Sequence, residues 1–178
     1  MVPRNGIPTE GPDEMSKIGG VVVAGVLAVG GIGAYEKWGK GGEDNTVRDQ
    51  SGEIVEQGEL GVFVLSVGDC FIAAIGDLAT TTGVPCSSSH NNELAGEFTL
   101  IADVFPGETS MTSKAETNCP PLISSYVGDL DKVYLRYPNF AWSPILPTIG
   151  SFAEGDRTVL CAIGLDDEGS LSESLRNF

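Results

Sequence analysis

The hydrophobic pattern divides the chain at residue 35. Ile18 to Tyr35 reads IGGVVVAGVLAVGGIGAY and holds no charged residue. As a helix this run rises about 27 Å, close to the hydrocarbon thickness of a bilayer. The pattern predicts a polar cytoplasmic tail over 1–17 and a transmembrane helix over 18–35. A flexible acidic tether over 36–60 and a folded extracytoplasmic domain over 61–178 follow. The apolar run is longer than the core of a cleaved signal peptide, which is about 7–15 residues, so the anchor is read as retained.

Beyond the tether the apolar positions come in short runs. Residues 61–67 (GVFVLSV) and 72–75 read as strand or strand approach, and 76–84, with three consecutive Thr, as a loop or second strand. Residues 94–102 (LAGEFTLIA) make a strand with Phe98 and Leu100 facing one way. Ser and Thr ahead of Lys114-Ala115-Glu116 predict a short helix over 109–119, stopped by Pro120-Pro121. Residues 133–137 (VYLRY) read as a strand, 139–152 as a Pro-rich loop holding Trp142, and 158–163 (TVLCAI) as the last strand. The sum is an α+β chain. A single N-terminal transmembrane helix precedes a small disulfide-stapled domain with a mainly antiparallel sheet and one or two short helices.

Charge narrows the partners. Formal net charge is −15, and residues 41–178 carry all of that balance, with 21 Asp or Glu against 6 Lys or Arg. Such a domain is unsuited to nucleic acid or to an anionic membrane surface. All four cysteines, Cys70, Cys86, Cys119 and Cys161, lie beyond the apolar run and none forms a C-x-x-C pair. An even count in a small domain points to two disulfides and an oxidising compartment. Three connectivities are possible; Cys70–Cys86 with Cys119–Cys161 gives the shortest closures. The cysteines also set the orientation, because Arg4 and Lys17 on one flank nearly balance Lys37, Lys40 and Arg48 on the other.

The apolar run is rich in glycine. Gly20, Ala24 and Ala28 fall at i, i+4 and i+8, a smooth face that lets helices approach closely in a membrane. That face is the candidate helix–helix interface. The partners it predicts are integral-membrane subunits and lipid.

Catalytic signals are thin. The chain has one histidine, His90, and lacks G-x-S-x-G, H-E-x-x-H and a phosphate-cradling loop. Cys86, His90 and Glu93 form the one tight constellation, with Cys70 as a further donor for zinc. Disulfide formation would remove the thiolates, so His90 and Glu93 are read as fixing a loop by hydrogen bonds. Asp156-Arg157 ahead of the last strand is read as securing a turn. No catalytic residue, metal, cofactor or small-molecule substrate is expected, and the protein is read as a non-enzyme.

Laid out in order, these residues resemble the actinobacterial septum-formation family. The resemblance rests on Gly68-Asp69-Cys70-Phe71, on Cys86 with His90 and Glu93, and on Cys119 after a helix. Trp142, Gly155-Asp156-Arg157-x-Val159-x-Cys161 and Ser170-Leu171 complete it. Ser88-Ser89 departs from the Pro expected beside the histidine. The family implies a membrane-anchored, envelope-facing domain and supplies no catalytic residue. Two functions follow. The first is an accessory subunit of an inner-membrane complex, with a respiratory cytochrome supercomplex as candidate host. The second is a septum or envelope factor that recognises cell-wall or divisome components.

Overall fold

The computed structural model describes residues 44–74, 77–166 and 169–178. In chain order these form β1 (Val47–Arg48), β2 (Ile54–Glu56), β3 (Gly58–Gly61), a 3-10 turn (Val62–Val64), β4 (Cys70–Ala74), β5 (Asp77–Val84) and β6 (Asn92–Thr99). Then come α1 (Glu108–Val127), α2 (Leu130–Arg136), β7 (Phe140–Ile145), α3 (Ile149–Ala153) and β8 (Thr158–Leu165). Six strands make one antiparallel sheet in the order β3-β5-β4-β6-β8-β7, and β1 with β2 forms a separate ribbon. The α+β class and antiparallel sheet are as the pattern predicts.

Strand β8 is buried on both faces, which is why its sequence is a continuous apolar run rather than an alternation. Val159, Cys161 and Ile163 face the core under α1, with Met111, Ala115, Cys119, Ile123 and Val127. Leu160 and Ala162 face a second cluster with Ile54, Leu60, Val62, Leu65, Phe71 and Leu94. Gly96 on β6 lets α1 settle this close: a Cβ there would stand 2.8 Å from the Leu122 Cβ. The Cys119–Cys161 disulfide ties α1 to β8, and Cys70–Cys86 ties β4 to the chain after β5.

Four local expectations are corrected. Helix α1 does not stop at Pro120-Pro121 but runs through both to Val127. The two prolines delete backbone donors toward Glu116 and Thr117, which lie on the exposed side where water replaces them. Meanwhile Met111, Ala115, Cys119, Ile123 and Val127 repeat every fourth residue and are buried, so packing holds the second half. Residues 133–137 lie not in a strand but in α2 and its C-cap. The Asp129 side chain accepts from Lys132 N at 3.1 Å, an N-cap that outweighs the β propensity of Val133 and Tyr134. The Pro-rich stretch with Trp142 is not a loop but edge strand β7, which tolerates Pro144 because an edge leaves one side unpaired. Among the described residues there are three α-helices, one of them 20 residues long, rather than one or two short ones.

Residues 44–60, expected within a flexible tether, are part of the fold. They form β1, β2 and most of β3, and Asp44 bridges to Leu60. Among the described residues no helix is long and apolar enough to cross a membrane. The predicted helix over 18–35, with Gly20, Ala24 and Ala28, lies outside them.

Candidate functional site

Asn92 and Glu93 open β6, and Cys70 is the register partner of Glu93 across the ladder. The pairing brings Cys70 Sγ, Cys86 Sγ and a Glu93 oxygen within 4.8 Å of one another. Their bonding leaves no open ligand set, because the sulfurs are joined to each other. Glu93, fully buried, is spent on three donors. Tyr126 Oη makes a short hydrogen bond to Oε1, Ser174 Oγ donates to the same oxygen at 2.5 Å, and Leu175 N donates to Oε2 at 2.8 Å. Glu93 therefore sits on a strand rather than in the predicted loop, and it fastens the C-terminal segment to α1. Burial first, and then the Glu93 carboxylate, raise the Tyr126 phenol well above its ordinary value.

His90 fastens the same segment. It exchanges both backbone hydrogen bonds with Leu171, at 3.0 and 2.8 Å. Its Nδ1 lies 2.7 Å from the Ser88 carbonyl oxygen. A carbonyl only accepts, so Nδ1 carries the hydrogen. Nε2 is buried and has no hydrogen-bond partner among the described residues. Leu171 and Leu175 are fully buried. Asn177 N donates to the Tyr126 carbonyl at 3.0 Å, and Arg176 Nη2 donates to the Val67 carbonyl at 3.0 Å, passing under Gly68. Gly68 has φ +103°, and a Cβ there would meet the Arg176 guanidinium.

A second polar knot ties β1 to the turn before β4. Arg48 forks onto Asp69, with Nη1 to Oδ1 at 2.6 Å and Nη2 to Oδ2 at 2.8 Å, while its Nε donates to Asp44 at 3.0 Å. Asp69 is buried and also accepts from Ser66 N at 2.8 Å. The hydrogen bonds that Arg48 donates to the Asp69 carboxylate hold its guanidinium protonated well beyond its usual range. Sequence reading placed Arg48 in the tether and missed this pair; Gly68-Asp69 marked one half of it.

Asp156 and Arg157 do not pair with each other through their side chains. Asp156 accepts from Thr158 N at 2.9 Å and from Ser151 Oγ at 3.1 Å. Arg157 stacks on Phe152, 3.3 Å from the ring centroid, and donates to the Phe152, Asp156 and Ala102 carbonyls. Together they bind α3 to the loop after β6, where Phe105 meets Phe152 edge-on at 5.5 Å. Beside α3 lies an open apolar hollow of about 400 Å³, lined by Val62, Phe63, Ile145 and Leu146 together with Ser151 and Glu154.

The geometry defines a class of protein: a disulfide-stapled α+β domain whose buried charges pin chain segments. Residues 39–161 match the model of the septum-formation family, and the chain belongs to that family. The matched stretch contains all four cysteines and begins before β1, in agreement with a fold that includes residues 44–60. No curated protein and no solved structure matches the chain. The respiratory supercomplex, expected as a host, finds no support in the fold or in the family.

Proposed function

We propose that this protein is a cell-envelope factor of septum formation that acts by recognition rather than catalysis, with its domain held outside the cytoplasm. The septum-formation family match over 39–161 carries this reading. Two disulfides with no free cysteine among the described residues support an oxidising compartment. The apolar run at 18–35 supports attachment to the membrane. Recognition is favoured because Glu93, His90, Arg48 and Arg157 are each committed to holding the fold. The test is depletion of the protein combined with imaging of a functional fluorescent fusion. Enrichment at division sites together with misplaced or incomplete septa is expected. An even distribution around the envelope with normal septa would refute the reading.

A further inference from the structure

The end of the domain around α3 has apolar surface that no described contact uses. Ile101 is 98% exposed, Val104 79% and Ile149 71%, the first two on the loop after β6 and the third opening α3. They belong to one end of the sheet. Leu100 N donates to the Arg157 carbonyl at 2.7 Å, Arg157 Nε donates to the Ala102 carbonyl at 3.1 Å, and Phe105 packs on Phe152 of α3. Gly150 and Ser151 of α3 and its C-cap Glu154 line the apolar hollow. Exposed large apolar groups gathered beside a hollow mark an interaction surface.

The charge of this end says what covers it. Asp103, Glu108 and Glu154 are exposed here. The cation among them, Arg157, has its guanidinium committed to three carbonyls and the Phe152 ring. The domain beyond residue 40 carries 21 acidic against 6 basic residues. An anionic lipid surface or a second copy of so acidic a chain would meet like charge. We propose that the α3 end docks a cationic segment of a partner protein: Ile149, Val104 and the hollow take its large apolar side chains, and Glu154 and Asp103 take its Lys or Arg. This names the partner chemistry for the septal reading and rests on it.

The experiment uses the full chain in nanodiscs and fluorescence anisotropy with a labelled peptide of Lys-Lys-Leu-Phe repeats. Peptides of Lys-Lys-Ser-Asn and Ser-Ser-Leu-Phe repeats serve as controls. The first peptide should bind at least about tenfold tighter than either control. Ile149→Asp and Val104→Asp should each weaken it about tenfold, and Glu154→Lys should weaken it and flatten its salt dependence. Leu135→Asp, on α2 at an equally exposed site, should leave binding unchanged. Circular dichroism and intact disulfides establish that each variant is folded. Equal binding by wild type and Ile149→Asp would overturn the proposal. So would dissociation of a dimer by Ile149→Asp, which makes the occupant a second copy. Quenching of a fluorophore at position 104 by brominated nanodisc lipid would also overturn it, because the occupant is then the bilayer. Loss of septal enrichment with this binding intact would instead strike the functional reading and leave the docking surface standing.

Discussion

Replacing Glu93 tests whether a buried carboxylate holds the C-terminal segment on the domain. In Glu93→Ala, the Tyr126 hydroxyl, the Ser174 hydroxyl and the Leu175 amide lose their common acceptor. Hydrogen bonds to a charged group contribute about 1.5–3 kcal/mol each. Three of them overstate the loss, since removing the carboxylate also removes its desolvation cost, several kcal/mol for a buried ion. The part-buried Ser174 hydroxyl can turn toward water. The Tyr126 hydroxyl and Leu175 amide remain buried, and a small cavity opens. The net expectation is about 3–4 kcal/mol of destabilisation, within the range for breaking a buried hydrogen-bond network and opening a cavity.

Glu93→Gln keeps one acceptor oxygen and turns the other position into a donor, so it should cost less, about 1–2 kcal/mol. Urea unfolding followed by far-ultraviolet circular dichroism reads both values. Hydrogen exchange locates them, with amides of residues 171–177 losing protection first. If Glu93→Ala lies within about 1 kcal/mol of wild type, or unfolds sooner with the tail still protected, Glu93 is not the fastener.

Further outcomes follow from the same contacts. Tyr126, whose phenol titrates above its ordinary value of 10.0 in the folded state, contributes stability that is present below that pH and lost as pH rises beyond it; alkaline denaturation should be shallower in Tyr126→Phe than in wild type. Cys119 and Cys161 are both fully buried whereas Cys86 is half-buried, so limiting dithiol should reduce Cys70–Cys86 first, as read by mass mapping of alkylated thiols. Removing the bridges as serine pairs should cost about 3 kcal/mol for the separation of 16 and about 4 kcal/mol for the separation of 42 in thermal unfolding. Arg48→Ala leaves buried Asp69 without its fork, so it should cost about 2–3 kcal/mol and expose Glu53 and Glu56 to a glutamate-specific protease, whereas a true tether would be cut equally in wild type.

What was legible in the sequence follows the range of the interactions. The strands at 94–102 and 158–163 were readable because β-branched and aromatic runs report local backbone preference directly. The disulfide pairing followed from loop length. The stretch 36–60 misled because it is poor in apolar residues. Ile54 and Leu60 are enough to seat it, and Arg48 finds its partner 21 residues away, which no local pattern reveals. Pro120-Pro121 read as a stop, yet the four-residue repeat from Met111 to Ile123 was already present on both sides of it. Burial of that repeat outweighs the cost of the two prolines. Glu93 stands out in the sequence beside Cys86 and His90, whereas its partners are Tyr126, Ser174 and Leu175, far along the chain.

The distribution of spent and unspent groups bears on what the domain does. Arg48 with Asp69 holds the N-terminal strands, Glu93 and His90 hold the C-terminal segment, and Arg157 holds α3 against the loop after β6. Glu93, His90 and Arg157, three of the groups that stand out as candidate chemistry in the sequence, thus join segments distant along the chain. Binding substrate through Glu93, Arg48 or Arg157 would first require breaking a contact on which the fold depends, and the remaining His90 nitrogen, Nε2, is buried. The exposed isoleucines and Val104 are the reverse case: burying them would be favourable by about 25 cal/mol per Å², yet the fold leaves them in water. Packing stability gives no reason to keep large apolar groups there. Under the docking proposal a partner buries them, and the acidic groups beside them, Asp103 and Glu154, make the α3 end rather than the histidine the surface to probe.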